Sequence, residues 1–131
     1  MYYLIQGFFF QNTVMLDPDR DLFINTMVRL GLLRIMFSGV LGPASETNSE
    51  IIGVTNDVYG EAELDQMKIT DKTLSFRKKY TRKHGLTIHY TFSKQRDGSW
   101  SGDWTGPATG SGTARCILVS ILESFLMPHE Q

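Results

Sequence analysis

The chain has 131 residues, the usual size of a single domain and enough to bury about two-thirds of its unfolded surface. Apolar residues at 41% and charged residues at 21% exclude wholesale disorder and a fibrous protein. A formal net charge of -1 and one cysteine, Cys116, give no global pull toward nucleic acid or an anionic membrane, exclude a disulfide-stapled scaffold, and fit a reducing, cytoplasmic compartment.

The first ten residues are largely apolar, but no Lys or Arg precedes the run and no small-x-small site follows it before Asp17. A signal peptide is therefore not expected. Asp17-Pro18 is the clearest helix start, an N-cap acceptor followed by proline at the first helical position, with Asp19 and Asp21 in the first turn where the helix dipole favours them. The helix is expected over 17–33. Its apolar residues Leu22, Phe23, Met27, Val28, Leu30, Leu32 and Leu33 wrap most of its circumference, so it needs cover on several sides, from the mouth of a sheet or from a second subunit. The apolar stretch 22–41 has the length of a membrane span, yet Asn25, Arg29 and Arg34 lie inside it. At about 2.5 kcal/mol or more per mid-membrane Arg, no span is expected.

After a loop over 42–50 the period changes to two. Residues 60–69 form a strand whose apolar phase shifts between Leu64 and Met67, which predicts a bulge near Asp65. Leu74, Phe76, Lys78 and Tyr80 share one face of the next strand and Ile88, Tyr90 and Phe92 one face of the strand after it. Asp97-Gly98 signals a hairpin, and Trp100 and Trp104 then fall together on one face. The last element, 112–126, fits helix or strand. A strand over 112–120 is expected, because it would help to close a barrel of about seven or eight strands.

Asp17-x-Asp19-x-Asp21 resembles the start of a calcium loop, but Leu22 and Val28 stand where such a loop needs Gly and Glu, so helix capping is the reading and no metal is expected. The glycines of 106–112 match neither phosphate-binding pattern and read as a hairpin connection. The run 77–84 holds six basic residues, while acidic residues concentrate upstream at Glu46, Glu50, Asp57, Glu61, Glu63 and Asp65. It reads as an edge hairpin guarded by lysines, with phosphate binding as the alternative. Cys116 reads as a buried structural thiol, since His84, His89 and His129 have no spacing that pairs one with it. Glu61 and Glu63 share a strand face and are expected in solvent. Lys78 shares the face of Phe76 and Tyr80, so a cation turned inward must find a partner, which a neighbouring acid, a water-filled mouth or a ligand carboxylate would supply.

The succession Leu74-x-Phe76-x-Lys78-x-Tyr80, Ile88-x-Tyr90-x-Phe92, Asp97-Gly98-x-Trp100-x-Gly102-x-Trp104 and Gly112-x-Ala114 resembles the calycin superfamily, the lipocalin-like and fatty-acid-binding-protein-like barrels, over 51–120. Bacterial members combine such a meander with a short N-terminal helix. The segment 37–42 occupies the place of the first-strand Gly-x-Trp signature, with Leu41 at the tryptophan position, and Arg115-Cys116-Ile117 lacks the Arg-x-Tyr of fatty-acid-binding relatives. The resemblance implies one mainly β domain, 1–131, an antiparallel barrel over 34–120 with the helix at one end or joining a homodimer. It implies non-enzymatic binding of a small, partly apolar molecule by Phe76, Tyr80, Tyr90, Trp100 and Trp104, with Lys78 or Arg115 as polar anchor and no cofactor. The alternative is an interaction module using 22–41 and the basic hairpin 77–84 for a protein or polyanion.

Overall fold

The architecture follows from strict inside-outside alternation. In the computed structural model, which describes residues 2–10, 26, 34–82, 86–106 and 110–121, eight strands each turn alternate side chains inward. They are β1 (Tyr2–Phe10), β2 (Arg34–Pro43), β3 (Ile51–Asp57), β4 (Gly60–Ile69), β5 (Thr73–Tyr80), β6 (Thr87–Lys94), β7 (Trp100–Gly106) and β8 (Gly110–Ile121). Every neighbouring pair is antiparallel, and β1 pairs with both β2 and β8, so the meander closes into a barrel in sequence order. Closure leaves no free edge to template aggregation.

Strands β4 to β8 follow the periodicity read from the sequence. The expected bulge is present: pairing of β4 with β5 shifts between Asp65 and Lys68, and Gln66 takes φ 51°. Asp97-Gly98 forms the tip of the β6–β7 hairpin, where Gly98 has φ 87° and the Asp97 carboxylate accepts bonds from the backbone N–H and hydroxyl of Ser99. The ambiguous last element is a strand through Ile121.

One segment lies outside the expected barrel of 34–120, and a second falls at its expected start. The N-terminal apolar run is β1, with Ile5 and Phe9 in the core, and the second half of the 22–41 stretch is β2, with Ile35, Phe37 and Leu41 inside. Both strands also carry apolar residues outside, at Leu4, Met36 and Val40, which blurs an alternation otherwise marked by Gln6 and Ser38. The expected helix over 17–33 falls, apart from Thr26, outside the described residues. Among the described residues no helix is long and apolar enough to cross a membrane.

The core is aromatic and reaches across the barrel. Phe37 on β2 and Tyr90 on β6 stand on opposite walls, yet their ring centroids are 6.2 Å apart. Phe9 from β1 joins them at 6.4 Å from Phe37 and 6.5 Å from Tyr90, and Phe76 stacks on Tyr90 at 5.0 Å. Side chains therefore bridge the lumen at this level, as expected where eight strands leave an interior about as wide as facing side chains. The Trp104 indole N–H donates to the Phe10 carbonyl at 2.8 Å, tying the end of β1 to β7.

Candidate functional site

Lys78 is on the inward face of β5, between Phe76 and Tyr80, and is 1% exposed. Its ammonium lies 5.1 Å from the ring centroids of Phe9 and Phe37, 4.9 Å from Tyr80 and 5.8 Å from Tyr90. Rings on four strands thus present their faces to one desolvated cation, a setting in which a favourable contact is worth about 2 kcal/mol or more. Rings do not replace a counter-ion. That role falls to Asp57 at the end of β3, whose Oδ2 accepts from Lys78 Nζ at 2.6 Å and from the Tyr80 hydroxyl at 2.6 Å, with both ionic side chains almost wholly buried.

Burial disfavours each charged form here and sets the protonation states. Desolvation holds the Lys78 ammonium below the ordinary lysine value, outweighing the pull of Asp57. The Tyr80 phenol is pushed far above its usual value, first by desolvation and then by its bond to Asp57, and Tyr90 moves the same way for the same first cause. Both phenols remain hydrogen-bond donors throughout the physiological range.

Two more hydroxyls complete the cluster. Thr55, 1% exposed, lies two residues before Asp57 on the same face of β3, and Tyr90 is also 1% exposed. Among the described residues neither Thr55 Oγ1 nor Tyr90 Oη has a hydrogen-bond partner. Leaving a buried hydroxyl unpaired costs about 1–3 kcal/mol, so such groups mark places where a further polar partner fits. The cluster lies toward the barrel end where β1 finishes and β2 begins, since Phe10 pairs with Arg34 and Asp57 with Gly60.

Of the residues singled out from sequence, Phe76, Lys78, Tyr80 and Tyr90 come together here, and Trp104 adjoins them through its register with Tyr90 and its edge contact with Phe9 at 5.9 Å. Trp100 is buried nearer the other end, opposite Lys94 and Cys116 in register. Arg115 is outside the barrel, where its guanidinium bonds Asp97 at 3.1 Å and the Ser99 hydroxyl at 3.0 Å. It is no interior anchor, because Ala114 and Cys116 take the inward positions on either side of it.

The first part of the basic run, 77–79, is matched by acids. Lys78 meets Asp57, Arg77 makes a two-pronged bond to Asp65, and Lys79 lies opposite Glu63 in the β4–β5 register. The Arg77 bond holds the Asp65 carboxyl below its usual range. Antiparallel pairing thus sets Arg77, Lys78 and Lys79 against acids, while Lys83 and His84 lie outside the described residues. His89 is exposed on the outer face, and Cys116 is a buried free thiol. Among the described residues, no three His, Cys, Asp or Glu side chains are grouped to hold a metal ion.

Burial of these acids carries a stability consequence at high pH. Desolvation pushes the Cys116 thiol from 9.0 up to about 12, and Tyr80 and Tyr90 are raised above 10.0. An acid whose folded value is raised stabilises fully below its unfolded value and loses that contribution as pH climbs toward the folded one. Lys78, lowered in the folded state, acts in the opposite direction up to its ordinary value of 10.5 and offsets the thiol near pH 9, whereas both phenols join the thiol above pH 10. The urea midpoint is expected to fall from pH 10 to pH 11, and Cys116→Ala to make that decline shallower. A midpoint constant over this range would contradict the buried phenols and thiol.

Compared with known proteins, the chain matches no family model and no curated sequence.

Proposed function

We propose that this protein is a non-enzymatic, lipocalin-like binder that holds a small, partly apolar molecule at the Lys78 end of its barrel. The observation that carries the reading is the pair of buried hydroxyls, Thr55 Oγ1 and Tyr90 Oη, without a partner among the described residues, near the Lys78–Asp57 ion pair. A head group with one donor and one acceptor satisfies both hydroxyls, and the surrounding aromatic side chains favour an apolar body. Because Asp57 already neutralises Lys78, a neutral head group suits the site better than an anion, which would have to displace a buried carboxylate. Phe9, Phe37 and Tyr90 bridge the lumen and form a floor against which the apolar part stops. The calycin-like succession of strands supports the same reading, and the acids matched to Arg77, Lys78 and Lys79 weigh against the polyanion alternative.

Native mass spectrometry of the protein mixed with decanol or decanoate tests this, with a denatured control to reveal any molecule retained from expression. A one-to-one adduct is expected, stronger with decanol. Tyr90→Phe and Thr55→Val each remove one hydroxyl and little volume. Each is expected to weaken the adduct about tenfold, the equivalent of about 1.4 kcal/mol for one hydrogen bond. No retained molecule and no adduct with either probe, or adducts indifferent to both substitutions, would end the proposal.

A further inference from the structure

The outside of the barrel is divided by polarity along its circumference. On β4 to β7 the outward positions are polar or charged, among them Glu61, Glu63, Lys68, Ser75, Lys79, His89, Thr91 and Asp103. On β8, β1, β2 and β3 an apolar row, Val119, Leu4, Val40 and Val54, runs in direct cross-strand register, flanked by a row in which Gln6, Ser38 and Asn56 are polar but uncharged. The four apolar residues are 51%, 47%, 43% and 42% exposed. Ile117, Met36 and Ile52 extend the patch on either side of the row, also exposed. Beside it opens a groove of about 350 Å³, lined by Gln6, Phe8, Met36 and Ile117 and bordered by Arg115 and Asp97.

A face of this kind on adjacent strands is not the scatter of single apolar residues that any surface shows. Lipid does not suit it, because a barrel immersed in a bilayer is apolar all the way round, and here the opposite strands carry charge. From this geometry we infer that the outer face of β8, β1, β2 and β3 is the interface of a homodimer, packed face to face about a two-fold axis that passes near the Leu4–Val40 pair.

Size and charge favour a second copy as the occupant. Four strands and about seven residues along each give a footprint on the order of 400 Å², from a strand spacing of about 4.8 Å and a rise of about 3.3 Å. A standard interface covers about 800 Å² per partner, of which about 57%, on the order of 450 Å², is apolar. The footprint, crossed by Gln6, Ser38 and Asn56 as uncharged polar positions, forms the centre of one such interface, and the groove with its Arg115 and Asp97 border belongs to the polar rim. A two-fold axis brings each residue close to its own counterpart. Uncharged side chains tolerate that, and the row contains no charge, while the net charge of -1 leaves two copies with little mutual repulsion. Two such sheet faces stack about 10 Å apart, as in a β-sandwich.

Sedimentation velocity of the full chain from about 1 to 200 μM tests the inference, with circular dichroism to confirm folding of each variant. The wild type is expected to pass from monomer to dimer within this range. Val40→Glu places two carboxylates near the axis and is expected to raise the dimer dissociation constant at least a hundredfold. Glu61→Gln, on the polar half, is expected to leave it unchanged. Val40→Cys, close to the axis, is expected to give a disulfide-linked dimer on oxidation, the native thiol being buried. A wild type that stays monomeric at 200 μM, whether because the face is bare or because it serves a different protein, would overturn the inference. So would a dimer that Val40→Glu leaves intact.

Discussion

Asp57→Asn is expected to lower stability by about 3–5 kcal/mol, the usual cost of breaking a buried ion pair by removing one partner. For a chain of this length that corresponds to a fall of about 10–20 °C in Tm. The substitution keeps the shape of the side chain and deletes its charge, leaving the Lys78 ammonium surrounded by four ring faces and a phenol. Ring faces attract a cation but accept its protons poorly, so the desolvation of Lys78 is no longer offset. Lys78→Met with Asp57→Leu removes both charges and is expected to recover most of the loss, because two apolar side chains suit this aromatic interior. The pH dependence fixes the sign. Without Asp57 the folded-state value of Lys78 moves further below the ordinary lysine value of 10.5, and the unfolded chain then binds more protons over a wider interval. Stability rises with pH wherever that holds, so the deficit of Asp57→Asn against wild type is expected to shrink between pH 7 and pH 9. Urea denaturation at the two pH values reads this directly. Equal stability of Asp57→Asn and wild type would mean that the ion pair contributes nothing.

The half of the barrel legible from sequence is the half with polar residues outside. Along β5 and β6 the interior set Leu74, Phe76, Tyr80, Ile88, Tyr90 and Phe92 alternates with Thr73, Ser75, Lys79, His89 and Thr91, and period two is visible at once. Along β1 and β2 it alternates with Leu4, Phe8, Met36 and Val40, with Gln6 and Ser38 the only polar residues between them, so period two is masked and the runs raise the question of a leader or a membrane span. The same residues that conceal the strands make the outer apolar face. The obstacle in reading the sequence and the proposed dimer surface have one physical origin.

Lys78 was legible as an inward cation, but its partner was not. Asp57 is 21 residues away in sequence, at the end of a short strand whose interior face holds Gly53 and Thr55 in place of large apolar residues. The signal available was phase: Gly53, Thr55 and Asp57 share one parity, whereas Glu61, Glu63 and Asp103 fall on outward positions. Parity also places Arg115 outside. Its choice as an interior anchor rested on the resemblance to carboxylate-binding barrels, and alternation with Ala114 and Cys116 would have corrected it.

Gly102→Ala is expected to abolish the native barrel or to cost several kcal/mol. Gly102 separates the two tryptophans on β7 and lies opposite Phe92 and Ala114 in register. A methyl group there would fall on the Thr91 carbonyl oxygen and within 2.8 Å of the Phe92 Cα. Both obstacles are backbone, held by the β6–β7 ladder, so no side-chain rotation relieves them. Glycine in a barrel strand marks such a close approach, where the sheet coils tightly enough to bring one backbone over the next. Gly60→Ala is the informative contrast, since its added methyl meets nothing within 4 Å and the strain comes from φ 119°. That substitution is expected to cost about 1–3 kcal/mol, the range for a strained backbone conformation, and to leave the fold intact. Near-ultraviolet circular dichroism separates the two, because Trp104 is held between the Phe9 ring and the Phe10 carbonyl. Its signal should vanish in Gly102→Ala and persist in Gly60→Ala. A native Trp104 signature in Gly102→Ala would mean that β6 and β7 are free to separate, and that the tight coiling of this wall does not set the shape of the barrel.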